Sequence, residues 1–311
     1  MYAGSKAFFY ALSRSTALKG MASRYGMRSQ TGFARRFIAG ERIEEAIEAS
    51  RQLQSQGLLI TLDYLGESAS RADEAAAAAR EYLRLIDSIR ASGIERNLSL
   101  KLTQLGVGVD RATCTDHLRR ILDHGREHGF FVRIDMENSP HTDATLDVFE
   151  TLWQQQYRNV GVALQACLRR TERDVRRMNQ LGARVRLVKG AYKEPDAVAL
   201  QHKREVDDAF RRLAYLLLDA GTYPAVATHD ASLIDDVCAY ATERAIPPEG
   251  YEFQMLYGIR RDLQASLVTR AHRVRVYVPF GREWFPYFMR RLGERPANVG
   301  FIVRSLLRER G

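Results

Sequence analysis

Several charged side chains of this chain stand inside short apolar runs, where a charge is costly unless it is paired or used. Lys101 lies within residues 98–105 (LSLKLTQL) and Asp135 within 130–136 (FFVRIDM), followed by Glu137 and Asn138. Arg186 and Lys189 lie within 185–191 (VRLVKGA), and Asp63 within 58–65 (LLITLDYL), with Glu67 just beyond. Gln165 falls in 160–166 (VGVALQA), and 225–229 (AVATH) ends in Thr228 and His229. Glu252, Gln254 and Tyr257 belong to 251–257 (YEFQMLY), and Tyr277 to 274–278 (VRVYV). Lys101, Arg186 and Lys189 together suit an anionic ligand, either a phosphate-bearing cofactor or a carboxylate substrate. A second chemistry is open: His229, Asp135 and Asp63 could ligate a metal, as in barrel hydrolases. Against it, a single histidine ends a run, and the first run carries no H-x-H. A serine triad has no G-x-S-x-G turn to present its nucleophile. Residues 283–292 read as a helix carrying Tyr287, Arg290 and Arg291. The two adjacent arginines diverge by about 100°, so they meet one small anion only if the helix end lies across the site.

These residues need elements to hold them. The eight apolar runs alternate with amphipathic stretches at 71–90, 113–127, 142–155, 171–181, 196–220, 232–244 and 260–270, with glycines such as Gly93, Gly129, Gly182 and Gly221 at the boundaries. Eight strand–helix units in about 250 residues predict a (βα)8 TIM-type barrel of the α/β class. A doubly wound sheet is disfavoured because no G-x-G-x-x-G follows the first run. In such a barrel the C-terminal strand ends carry the chemistry, so the polar residues above, Gln104 and Glu252 included, are expected on that rim. Residues 1–55 read as an N-terminal helical extension, with a helix at 41–54, and 56–311 as the barrel.

Composition narrows the classes. Of 311 residues, 45% are hydrophobic and 27% charged, ordinary values for a globular protein. Cys114, Cys167 and Cys238 are far apart and odd in number, which argues against a disulfide framework or a cysteine zinc site and for a reducing, cytoplasmic compartment. No apolar run approaches the roughly 20 residues of a membrane span. A net charge of +9 raises nucleic-acid binding, but many arginines stand beside acids in helical stretches, and no basic patch is interleaved with aromatics. Residues 1–40 contain no Asp or Glu, yet hold Lys6, Arg14, Lys19, Arg24, Arg28, Arg35 and Arg36 among Phe8, Phe9, Tyr10 and Leu12. That segment reads as basic helices on the main domain or as a contact with an anionic membrane.

The motifs, taken in order, resemble the proline dehydrogenase family. They are SLKL at Ser99, RIDMEN at Arg133, VRLVKGAY at Val185, ATHD at Ala227, YEFQMLYG at Tyr251, RVYVPFG at Arg275 and YFMRRL at Tyr287. The resemblance covers about residues 58–300 and is to the monofunctional bacterial form. It implies FAD-dependent oxidation of L-proline to Δ1-pyrroline-5-carboxylate, with hydride passing from proline C5 to flavin N5 and electrons passing on to a quinone. It implies that Arg290 and Arg291, with Lys101, bind the proline carboxylate, and that Tyr192, Leu256, Tyr277 and Tyr287 wall the pyrrolidine ring. Asp135 is implied as the active-site carboxylate and Arg186 as the group near flavin N5. Met136, Gln165, Lys189, Gly190, Ala191, Thr228 and His229 are implied as further flavin contacts, and no metal is called for. Glu67 is implied to pair with Arg290 as a gate over the substrate. The product would go to a separate pyrroline-5-carboxylate dehydrogenase. Electron delivery to a quinone would place a cytoplasmic enzyme peripherally at the inner membrane face, with no role for nucleic acid.

Overall fold

Each of the eight apolar runs forms a parallel strand, and the strands close into a barrel in chain order. They are β1 (Leu59–Tyr64), β2 (Asn97–Leu100), β3 (Phe131–Ile134), β4 (Val160–Gln165), β5 (Val185–Val188), β6 (Ala225–Ala227), β7 (Glu252–Leu256) and β8 (Val274–Phe280). Closure is made by β1 on β8, in register from Leu59 against Arg275 to Tyr64 against Phe280. This computed structural model describes residues 33–294, without the side chains of Arg290 and of residues 292–294. The expectations for most of the basic N-terminal segment and for the Arg290 side chain therefore lie outside the described residues.

The helices are α1 (Ile43–Gln54), α2 (Ala72–Ser92), α3 (Arg111–Glu127), α4 (Thr142–Gln154), α5 (Thr171–Leu181), α6 (Lys203–Ala220), α7 (Ala231–Glu243), α8 (Arg261–Thr269) and α9 (Trp284–Glu294). One start differs clearly from the sequence reading: α6 begins at Lys203, not near residue 196. The preceding segment pairs instead with the loop after β4, through Arg169 N–H to Val198 O at 3.0 Å and Leu200 N–H to Cys167 O at 2.8 Å. Those cross-chain bonds satisfy backbone groups that a helical turn would otherwise have taken.

Two elements give the barrel its particular mouth. Helix α1 packs on β1 and β8, completing the shell where the chain closes. Helix α9, after β8, instead joins an apolar cluster with Phe37, Ile38, Leu65, Ile259, Leu256 and Tyr277, beyond the C-terminal strand ends. The 33–40 segment holds it there. Phe37 and Phe288 have ring centroids 6.1 Å apart, and Trp284 Nε1 donates to Glu41 at 2.9 Å. Gly258 (φ +72°) permits this crossing, because a Cβ there would lie 1.6 Å from the carbonyl oxygen of Arg36.

Strand alternation places Ile60, Leu62, Leu98, Leu100, Val132 and Ile134 in the apolar layer beneath the helices. The alternate positions carry Thr61, Asp63, Ser99, Arg133, Arg186, Gln254, Arg275 and Tyr277. Barrel interiors are usually filled by branched apolar residues; this one is polar and charged, and holds together by pairing. Two rim expectations are corrected. Glu252 is the first residue of β7, at the floor, where its carboxylate accepts from Arg275 Nε at 2.8 Å and Nη2 at 2.9 Å. Gln104 turns toward α2, accepting from Tyr82 Oη at 2.6 Å and donating to the Tyr64 carbonyl at 3.2 Å. Both supply hydrogen bonds that burial demands.

Candidate active site

Strands β2 and β5 end just before Lys101 and Lys189, and β6 ends two residues before His229, so all three stand in the loops above the barrel. The polar tips converge on one cavity of about 760 Å3 at the C-terminal mouth, a size typical of ligand sites. At its base Asp135 organises three partners. Its Oδ1 accepts from Arg186 Nη1 at 2.5 Å. Its Oδ2 accepts from Tyr277 Oη at 2.6 Å and from Lys101 Nζ at 3.4 Å. Lys101 also donates to Asp63 Oδ1 at 3.0 Å and lies 3.3 Å from Tyr277 Oη. Arg186 donates through Nη2 to Ser99 at 2.9 Å and through Nε to Gln254 Oε1 at 2.6 Å. Its guanidinium stands 5.3 Å from the centre of the Tyr277 ring. Every nitrogen of Arg186 is thereby fixed.

The electrostatics follow from burial and neighbours. Burial would strip Lys101 of its proton, but the carboxylates of Asp63 and Asp135 outweigh it and raise the ammonium above the usual lysine range. Burial raises Asp63, with Asp135 adding to the shift and Lys101 opposing it. Tyr277 is also raised well above its ordinary value, by burial and then by Asp135 and Asp63, so it remains a phenol able to donate. The base of the cavity is thus a set of fixed hydrogen-bond donors around buried carboxylates.

A second polar region lies where α6 and α7 begin. Lys189 bridges Asp207 at 2.5 Å and Asp230 at 3.2 Å. Lys203 pairs with the same two carboxylates. Both acids are lowered: burial pushes them up, but the two lysines pull harder. Asp230 is the N-cap position of α7, and Ala231 and Ser232 line the cavity. Backbone N–H groups at a helix start suit a phosphate. His229 Nε2 accepts the Leu256 N–H at 2.9 Å, so the ring proton sits on Nδ1. Gly190, at φ +109°, has no room for a side chain, because a Cβ would lie 2.3 Å from Cys167 Sγ.

Most residues singled out in the sequence meet in this cavity. Lys101, Asp135, Arg186 and Tyr277 form its base; Met136, Gln165, Lys189, Gly190, Ala191 and Tyr192 form one side; Thr228, His229, Leu256, Tyr287 and Arg291 form the other. Arg291 stands 5.2 Å from the centre of the Tyr287 ring. Glu67 is exposed on the loop after β1 and is not part of the cavity wall. Sequence reasoning passed over Ser99, Asp207 and Arg260 as site residues, and it placed Asp63 and Gln254 on the rim, giving Asp63 a role only as a metal ligand and Gln254 none. Ser99 and Gln254 were signalled by spacing, each two residues before a residue it did choose, Lys101 and Leu256. The geometry favours the cationic reading over the metal one. The Lys101 ammonium lies between Asp63 and Asp135, and His229 Nε2 is engaged by backbone. Among the described residues, the group of potential ligands that comes together is Asp87, His124 and His128, out on α2 and the end of α3.

The lining combines apolar and polar groups in the way a flat cofactor with a polar tail would need. Met136, Ala163, Val188, Ala227 and Met255 supply apolar wall, Arg186 and Gln165 supply polar groups beside it, and Lys189 and Lys203, held by Asp207 and Asp230, line the cavity with the start of α7.

The profile of a family described as Proline dehydrogenase matches residues 46–304. Proline dehydrogenase 1 of Bacillus subtilis (strain 168) is 42% identical over 301 residues, spanning 97% of this chain and 98% of its own. Proline dehydrogenase of Deinococcus radiodurans is 42% identical over 279 residues, spanning 88% of this chain and 90% of its own. Among solved structures, proline utilization A from Bdellovibrio bacteriovorus inactivated by N-propargylglycine superposes with a TM-score of 0.78 at 28% identity, over 84% of this chain and 32% of that one.

Proposed function

The chain belongs to the proline dehydrogenase family and is an enzyme of proline oxidation in proline catabolism, and from that premise we propose that it converts L-proline to Δ1-pyrroline-5-carboxylate with FAD in the mouth cavity. The observation that carries the reading is the Asp135 cluster, where one carboxylate holds Arg186, Tyr277 and Lys101 at the base of the mouth cavity. FAD, when bound, supplies at N5 the acceptor for the hydride leaving proline C5.

The chain's own residues position the substrate. Arg291, with Arg290 and Lys101, takes the carboxylate, since guanidinium–carboxylate pairing fixes direction as well as charge. Tyr192, Leu256, Tyr277 and Tyr287 enclose the ring and exclude water. Arg186 holds positive charge at the cavity base, where it would favour the reduced, anionic form of a bound flavin. Lys189, Gly190, Ala191, Met136, Gln165, Thr228 and His229 hold the cofactor. A quinone is the electron acceptor in this reading, reached by a peripheral contact of the basic N-terminal segment with the membrane. A separate pyrroline-5-carboxylate dehydrogenase takes the product. No helix among the described residues is long and apolar enough to cross a membrane.

The test is product identity. Enzyme loaded with FAD and given a soluble quinone analogue should turn L-proline into a species two hydrogens lighter that condenses with an ortho-amino aldehyde. Unchanged proline with loaded enzyme would defeat the reading.

A further inference from the structure

We propose that Glu252, on the floor of the barrel, is a positioning residue for the reaction, acting through Gln254 on Arg186. The inference rests on the functional reading above, in which Arg186 faces the reacting centre.

Three links carry it. Arg186 Nε is donor-only and engages Gln254 Oε1 at 2.6 Å. The other end of that amide, Nε2, donates to Glu252 Oε1. A glutamine amide between two partners can ordinarily flip; this one cannot, because a donor-only guanidinium stands at one end and an acceptor-only carboxylate at the other. The orientation of Gln254 is therefore written by the charge of Glu252.

Glu252 itself has no slack. Arg275 grips both of its oxygens, at 2.8 and 2.9 Å, and Tyr223 Oη donates to Oε2 at 3.1 Å. Arg275 is tied in turn to Glu95 and to the Ile60 carbonyl, both at 2.6 Å. Arg186, Glu252, Gln254 and Arg275 are all at most 6% exposed, so water cannot replace a lost partner. Burial pushes the Glu252 carboxyl up, but Arg275 outweighs it and keeps the group below the usual carboxylate range. A line of alternating charge thus runs from the floor to the mouth, from Glu95 through Arg275, Glu252 and Gln254 to Arg186. Buried groups that hold an active-site cation in one pose supply preorganisation. Gln254 also lines the cavity; Glu252 does not touch it and acts only through the amide.

The experiment is a double-mutant cycle on the FAD-loaded enzyme. The variants are Glu252→Gln, Gln254→Met and the pair, read by proline kcat and KM, by the reduction potential of the bound flavin, and by thermal unfolding. Gln254→Met keeps the volume and removes both hydrogen bonds. We expect Gln254→Met to lower kcat about tenfold, with a smaller change in KM, and to make the potential more negative. Glu252→Gln should move both in the same direction, and the pair should show no further loss. The proposal is overturned if Glu252→Gln alters only the unfolding temperature, or if the two losses multiply. Should Glu252→Gln not fold, wild-type kcat and potential in Gln254→Met overturn it alone. Failure of the functional reading would look different: the unmutated, FAD-loaded enzyme would not be reduced by proline, and the proposal would fall with it.

Discussion

Asp135 and Arg186 meet end to end across the barrel interior, Oδ1 to Nη1 at 2.5 Å, although their strands, β3 and β5, are separated by β4. Both are mostly buried, with side chains 14% and 5% exposed. The same carboxylate accepts from Tyr277 on β8 and Lys101 after β2, so one side chain ties together groups delivered by three other parts of the barrel.

Asp135→Asn should therefore be costly twice over. It leaves buried Arg186 and Lys101 short of a negative partner, a loss of about 3–5 kcal/mol in comparable pairs, and it frees the cations to move. Urea unfolding should show the destabilisation, and kcat for proline should fall by about 100-fold or more. Wild-type kcat in a folded variant would contradict the role given to the cluster.

Lys101 makes a prediction at alkaline pH. Its folded-state value lies above the ordinary 10.5, so the folded state keeps this proton where the unfolded chain has released it. Its contribution to stability is complete below 10.5 and is lost as pH rises through the folded value. The difference in unfolding free energy between wild type and Lys101→Met should be flat at neutral pH and shrink above that point. A difference that grows with pH would reverse the sign and refute the assignment.

Arg291→Ala should act on binding. If the guanidinium holds the proline carboxylate equally before and during the reaction, KM rises by roughly 10–100-fold with little change in kcat. Steady-state kinetics with proline decide it. A loss confined to kcat would place Arg291 at the reacting bond instead.

Gly258→Ala tests how the mouth is built. The new Cβ cannot coexist with the Arg36 carbonyl 1.6 Å away, and positive φ is unfavourable for alanine. The 33–40 segment and α9 must shift together, with a destabilisation of about 1–3 kcal/mol. Limited proteolysis should cut first near residues 33–40, and KM for proline should rise because Tyr287, on α9, lines the cavity. Unchanged proteolysis and KM would show that the crossing does not matter.

The barrel was legible because short apolar runs and the amphipathic stretches between them are local signals, and all eight strands formed where those runs lay. The missed features are tertiary. Residues 196–202 carry a helical pattern, yet their backbone is claimed by the loop after β4. Glu252 looked like a rim residue because charge in an apolar strand marks cost, not which end of the strand bears it; its partner Arg275 lies one strand over. Ser99 went unselected, and Gln254 was placed on the rim without a role, because the part a neutral polar residue plays in a strand shows only once Arg186 is seen to reach both. The position of α9 across the mouth depended on contacts with Phe37, Leu65 and Ile259, far apart in sequence.

The most direct test of the central claim is the visible spectrum of the FAD-reconstituted protein, recorded without oxygen before and after L-proline is added. The cavity and its Asp135 cluster predict bound flavin whose bands bleach on addition of proline. A protein that takes up no FAD, or whose flavin bands ignore proline, would contradict it.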